Sequence, residues 1–219
     1  MIRLHHCYQT RSDRTLWLLT DLGVDFDLHV YPFDATLREE PYRSINPIGR
    51  VPALEIDGHV MIESGAMAEV LAERFADRGM TRATDHAERM DYLMFIHFAE
   101  TLSVHCANLT QQHIVLYEDS MRSPLLMKLE AKRLERCIAS LEPRLGRHGF
   151  LLSSGISAAD FGVAQAALMA QRFVRLDAYI HVRAWLDRMT ALPSYAALTP
   201  PEGTKLLYAK PFYNWEDYQ

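Results

Sequence analysis

Two hydrophobic periods divide this chain. In its first third, alternating apolar runs trade places with helical spacing. Residues 2–7 carry the every-second-residue pattern of a strand. Leu16, Leu18, Leu19 and Leu22 mark one face of a helix over 12–22, which Gly23 stops. Residues 26–31 read as a second strand, so the opening is strand–helix–strand, a unit expected to be parallel and right-handed. A short helix is predicted over 35–44. Residues 51–56 and 59–62 then form two strands around Asp57-Gly58, the strongest short-range hairpin signal. A helix follows over 64–76. The order βαβ–α–ββα fits a four-stranded sheet with helices on its faces.

Beyond a polar, unpatterned stretch at 78–85 the pattern is helical throughout. Helices are predicted over 86–117, 125–145, 157–174 and 180–189, the second with Leu126, Leu129, Leu134, Ile138 and Leu141 on one side. Such length without strand signals argues for a helical bundle. The fold class is therefore α/β plus all-α, with domains at 1–78 and 86–219 and a linker between. The last twenty residues, rich in Pro, Tyr and Trp, are expected to wrap the surface as an irregular tail.

Composition narrows the function classes. The 219 residues carry a net charge of −5 and no basic run, so no phosphate footprint for nucleic acid exists. Cys7, Cys106 and Cys137 show no metal or disulfide spacing and read as reduced thiols of a cytoplasmic protein. The start lacks the apolar core of a signal peptide, and no apolar run spans a membrane. His97, His105 and His113 are spaced by eight residues, and His5 and His6 point to opposite faces of a strand, so no metal is expected. No glycine-rich phosphate loop supports a nucleotide cofactor.

The richest stretch is 46–64, which holds Val51-Pro52, the Asp57-Gly58 turn and Glu63-Ser64. A proline opening a strand cannot donate to a ladder, so it sits at an edge or in a special, cis or trans, conformation. The backbone of Val51 is then free to pair with something that is not protein. A few residues on, the helix starting at Ser64 offers N–H groups to a carboxylate. Together these read as a cradle for a small extended peptide with an acidic end.

The motif Asn46-Pro-x-Gly-x-Val-Pro-x-Leu-x-x-Asp-Gly-x-x-x-x-Glu-Ser64, with Ser157-Ala-Ala-Asp160 further on, resembles the glutathione S-transferases over nearly the whole chain. That resemblance implies a thioredoxin-like N-terminal domain, an all-helical C-terminal domain, a homodimer, and glutathione as co-substrate rather than any permanently bound cofactor. It also implies that the backbone of Val51 pairs with the cysteinyl unit of glutathione, an instance of β-augmentation. Pro52 resembles the family's cis-proline. Glu63 resembles the residue that takes the γ-glutamyl ammonium, and Ser64 the one that takes its carboxylate. Arg50 lies beside the site and either meets a glutathione carboxylate or stays solvated. Ser157 and Asp160 resemble the family's structural cap, a capping box with Asp in place of Glu.

The chemistry rests on 10–12. A free thiol has a pKa of about 8.5, so an enzyme that uses it must favour the thiolate with hydrogen bonds and positive charge. In serine-type members the catalytic hydroxyl stands four residues before an arginine in the first helix. Thr10 stands four before Arg14, which points to Thr10 ahead of Ser12. Ser12 is alternatively a plain N-cap, and Arg11 either adds positive charge near the sulfur or is a loop arginine. The electrophile pocket is expected between the domains, with Phe95, Phe98, Thr101 and His105 as candidates by position. The expected activity is attack of activated glutathione on small electrophiles. Alternatives are a specialised isomerase, dehalogenase or peroxidase on the same site, or a non-catalytic binding module.

Overall fold

The computed structural model describes residues 1–218; Gln219, the last residue of the predicted tail, lies outside them. Strands β1 (Ile2–His6), β2 (Asp27–Val30), β3 (Ala53–Ile56) and β4 (His59–Met61) form one sheet in the order β2-β1-β3-β4. β1 pairs parallel with β2 and antiparallel with β3, as the strand–helix–strand opening requires. Register follows the alternation: Ile2 opposes Ile56 and Leu4 opposes Leu54, all four buried on one face. The hairpin turns at Asp57 and Gly58 with φ of 51° and 80°, the left-handed pair that such a two-residue turn needs. The bidentate grip of Arg74 on Asp57 ties the turn to α3.

Helices α1 (Ser12–Leu22) and α3 (Ser64–Arg74) cover the Ile2–Leu4–Leu54 face. On the opposite face, Leu37, Tyr42 and Ala53 form a small second core. The predicted 35–44 helix is two pieces, a 3₁₀ turn at Ala35–Arg38 and a single turn, α2, at Tyr42–Ile45, with Pro41 between them. β2 is exposed along its length, an edge strand despite its apolar residues.

The helical half consists of α4 (Arg89–Thr110), α5 (Pro124–His148), α6 (Ala158–Ala170) and α7 (Ile180–Thr190). The predicted 86–117 helix is shorter. Its end widens into a π-turn at Gln111–Val115, where the Leu116 N–H reaches the Gln111 carbonyl five residues back. The Thr110 hydroxyl already occupies the Cys106 carbonyl at 2.7 Å, a side-chain competitor for the backbone ladder. The stretch at 78–85 is not slack. Arg82 is buried and donates to Ser154 Oγ and to the carbonyls of Gly79, Thr81, Gly155 and Ile156. Nor does the tail only wrap the surface. Tyr208 and Tyr213 are buried among Phe173 and His113, with Tyr208 Oη 2.8 Å from Thr110 Oγ1.

Helix α6 is apolar all round, and it is held by the capping box read from the sequence. The Ser157 N–H and hydroxyl donate to Asp160 Oδ2 at 2.9 and 3.1 Å. The Leu151 N–H and the Trp185 indole donate to Oδ1, each at 3.1 Å. Burial pushes the Asp160 carboxyl up to about 6, against the pull of those donors. Asp160→Ala strands buried donors from three segments. It is expected to lower the unfolding free energy by about 3 kcal/mol in a urea titration; a loss below about 1 kcal/mol would mean that water takes over the carboxylate's place.

Candidate active site

Between the sheet domain and the helices lies a cleft of about 670 Å³. One wall is local in sequence: Phe33, Leu37, Ile48, Gly49, Arg50 and Val51. Val51 stands just outside the β1–β3 ladder, whose pairing ends at Ala53, and its peptide to the buried Pro52 is cis. The Arg50 carbonyl is held by Tyr42 Oη at 2.5 Å and Asn46 Nδ2 at 2.7 Å, and Asn46 Oδ1 also takes the Ile48 N–H. The loop is thus fixed from behind, leaving Val51 facing the cleft. Gly49 has φ 66°, and a Cβ there would meet the Leu37 carbonyl at 2.8 Å, so this bend admits only glycine.

Glu63 and Ser64 stand at the start of α3, outside the residues that line the cleft. Glu63 is exposed, in a left-handed backbone with φ 79°. Ser64 is buried and is the first helical residue, not the cap. No side chain caps this helix, so its first N–H groups are not taken up by a capping oxygen. Arg14 Nη1 lies 3.4 Å from Ser64 Oγ.

The 10–12 loop resolves into three different environments. Thr10 lines the cleft, with its hydroxyl 2.7 Å from the Cys7 carbonyl and 2.9 Å from Ser12 Oγ. Ser12 is fully buried and does not line it. Its hydroxyl takes the Cys7 N–H at 3.0 Å and lies 2.8 Å from His6 Nδ1, so it is a tie between β1 and α1 rather than an N-cap. Arg11 lines the cleft and pairs with Glu100 at 3.0 Å, so it is not a free loop cation. The Cys7 thiol is pushed up to about 12, chiefly by burial, and is inert at neutral pH.

The opposite wall comes from the end of α4, the π-turn and the tail: Ser103, Ala107, Thr110, Gln111, Val115, Leu207 and Tyr208. Phe95, Phe98, Thr101 and His105 are corrected here, because none of them lines the cleft. Phe95 is core, edge-on to Phe98 and under the Arg144 guanidinium at 4.8 Å. Thr101 faces solvent, and His105 Nδ1 is bound to Glu130 at 2.7 Å. Position along a helix does not say which of its faces turns to a neighbour, and α4 turns Ser103, Ala107 and Thr110 to the cleft.

Arg14 was visible in the sequence only as a spacing mark. It is 4% exposed and donates to Glu100 at 2.6 Å, to Ser103 at 2.5 Å and to Gln165 at 2.9 and 3.1 Å. Its signal was available: a lone arginine on the leucine face of α1 needs buried partners. Arg11 and Arg14 share the single carboxylate of Glu100, which leaves net positive charge behind Thr10. Among the described residues no three His, Cys, Asp or Glu side chains converge as metal ligands.

Residues 10–74 match the glutathione S-transferase N-terminal domain and residues 106–193 the C-terminal domain of the same family. Glutathione S-transferase 3 of Schizosaccharomyces pombe is 25% identical, over 89% of this chain and 85% of its own. Glutathione S-transferase F6 of Arabidopsis thaliana is 28% identical, over 86% of this chain and 94% of its own. Among solved structures, a glutathione S-transferase from Xylella fastidiosa superposes with a TM-score of 0.81 at 23% identity, over 90% of this chain and 97% of that one. The transferase URE2P6 of Phanerochaete chrysosporium, in complex with oxidized glutathione, gives 0.79 at 18% identity, over 90% and 94%. The chain belongs to the glutathione S-transferase family, with its thioredoxin-like and all-helical domains. It is a glutathione transferase, with glutathione as co-substrate.

The ring of His6 is neutral in the folded protein, since burial pushes its pKa from 6.5 down to about 4. The unfolded chain takes up a proton below 6.5 that the folded one refuses until about 4. The contribution of this ring to stability is therefore full above pH 6.5 and is lost as pH falls from 6.5 towards 4. His6→Asn is expected to flatten that part of the curve, read as a smaller change in urea midpoint between about pH 7 and 5 than in the parent.

Proposed function

We propose that Thr10 is the group that activates the glutathione thiol, and that Val51, Pro52, Arg50, Glu63 and Ser64 hold the tripeptide. The observation that carries the reading is that Thr10 is the one hydroxyl of the 10–12 loop on the cleft wall, with a surplus of guanidinium charge behind it. A hydroxyl hydrogen bond and that charge both favour the thiolate. The Val51 backbone pairs with the cysteinyl unit, and Arg50, beside it, receives the glycyl carboxylate. The γ-glutamyl carboxylate sits on the uncapped start of α3 at Ser64, with Glu63 taking the ammonium. No permanently bound cofactor is needed for this chemistry.

The electrophile occupies the other half of the cleft, against Phe33, Ile48, Val115 and Leu207. That wall favours a compact apolar body with polar substituents that reach Gln111 or Asn108. We further propose a homodimer. Met90, Met94 and Val104 of α4 and Leu125 and Leu129 of α5 are exposed apolar side chains of the kind that a second copy would cover. The unpaired cysteines suit a reducing cytoplasm, and no helix is long and apolar enough to cross a membrane.

Thr10→Val is expected to lower kcat for a chlorodinitrobenzene-type electrophile on the order of a hundredfold, while millimolar glutathione still raises the melting temperature. Unchanged turnover removes Thr10 from the mechanism, and absence of thermal protection in the parent removes the cradle. For the assembly, Met94→Arg with Val104→Arg should convert a dimer to a monomer in sedimentation velocity; a parent that sediments as a monomer refutes it.

A further inference from the structure

Next to the cleft lies a second, smaller cavity of about 100 Å³, bordered by Asp13, Gln165, Arg172 and Tyr195. Three residues line both spaces, Gln9, Met169 and Tyr208, and so form the partition between them. Gln9 comes from the loop before Thr10, Met169 from the last turn of α6 and Tyr208 from the tail. Residues so far apart in sequence make a wall only while contacts hold them together.

One hydrogen bond joins Gln9 to the tail: the Tyr208 N–H donates to Gln9 Oε1 at 3.0 Å. Among the described residues the Gln9 side chain makes no other hydrogen bond. Its backbone is left-handed, with φ 62°, a conformation that a glutamine keeps only where the surroundings over-determine it. The hold on Tyr208 is such a surrounding. The tail has other anchors that do not involve Gln9. Tyr208 Oη lies 2.8 Å from Thr110 Oγ1, and the Arg172 guanidinium sits over the Tyr208 ring at 4.6 Å. The Tyr213 N–H reaches the Arg172 carbonyl at 2.7 Å. Loss of the Gln9 bond therefore opens the seam without detaching the tail. The space behind it has a group ready for a ligand. Arg172 Nη1 reaches the Lys210 carbonyl at 3.2 Å, but among the described residues the guanidinium pairs with no carboxylate.

We propose that Gln9 is a specificity-determining residue. By holding Tyr208 it keeps the partition shut and confines the electrophile to compact bodies. The chamber behind is a latent extension of the same site, suited to a further aromatic ring whose acceptor groups meet Arg172. The inference rests on the electrophile occupying this half of the cleft. It assigns the size limit of the site to one hydrogen bond between the sheet domain and the tail, rather than to the bulk of a wall residue.

The test compares chlorodinitrobenzene with chlorodinitronaphthalene, which has the same reacting carbon and leaving chloride and one more fused ring. In both, the thiolate forms the new C–S bond and chloride leaves with the electron pair of the C–Cl bond. Gln9→Gly suits the positive φ and removes the acceptor. It is expected to lower the preference for the smaller compound, read as the ratio of the two kcat/KM values, about tenfold relative to the parent. Both compounds meet the same thiolate, so any effect on neighbouring Thr10 cancels in that ratio. The KM for glutathione is expected to stay within about twofold. Gln9→Glu, whose carboxylate also accepts the Tyr208 N–H, should keep the parent ratio. Hydrogen exchange reads the bond itself: the Tyr208 amide is expected to exchange about tenfold faster in Gln9→Gly and at the parent rate in Gln9→Glu. If Gln9→Gly does not fold, Gln9→Asn makes the same cut, since asparagine tolerates this backbone and is one methylene too short. An unchanged ratio beside faster exchange overturns the role of Gln9 and leaves the electrophile site standing. Unchanged exchange overturns it equally, because the bond then does not hold the tail. A parent that turns over neither compound removes the electrophile reading of the cleft, and the inference with it.

Discussion

The guanidinium of Arg14 stands where four helices meet. From α1 it reaches Ser64 at the start of α3, Glu100 and Ser103 on α4, and Gln165 on α6. A charge this deeply buried is tolerable only when nearly every donor is used, so the partners must be brought together before the arginine can be buried at all. The requirement fixes the sheet domain against the helical domain. It thereby fixes the cleft between them and the height of Thr10, in the bend that leads into α1. A lysine has neither the fork nor the donor count to meet these acceptors together.

Around that anchor the two walls of the cleft differ in kind. The wall at 48–51 is built by near neighbours in sequence: Asn46 and Tyr42 grip the Arg50 carbonyl, and Gly49 allows the bend. A wall of this construction presents the same backbone whatever lies opposite. The facing wall is assembled from the π-turn after α4 and from Leu207 and Tyr208 of the tail, almost a hundred residues on. Its shape depends on packing, through the Tyr208–Thr110 contact and the Tyr208 N–H held by Gln9. The two walls of the cleft thus have separate structural origins.

Much of the fold was legible because its signals are local. Asp57-Gly58 dictates its turn through φ alone, and Ser157 and Asp160 close a capping box within one helical turn. Alternation put Ile2, Leu4, Leu54 and Ile56 on one face, and His5 and His6 duly face opposite sides, His5 towards Glu55 and His6 towards Ser12. The loop in which Asn46 holds the Arg50 carbonyl is local for the same reason. The α4 residues of the cleft were not legible, since Phe95, Phe98, Thr101 and His105 are chosen by nearness along α4, whereas the helix turns Ser103, Ala107 and Thr110 to the cleft. The π-turn carries no periodic mark, Arg82 in the linker discloses its role only through the carbonyls that surround it, and the leucine face of α1 marks Arg14 as buried without naming its partners.

By itself the sequence determined the elements, their order, the hairpin register and the loop before the hairpin, because each depends on backbone preferences and contacts within a few residues. It also singled out a loop of three candidate residues. Only the tertiary structure separates their surroundings. Thr10 reaches the cleft, Ser12 is consumed by Cys7 and His6, and Arg11 is paired with Glu100. The reason is physical: adjacent side chains differ in direction by far more than they differ in sequence, and direction is set by what packs against them from across the fold.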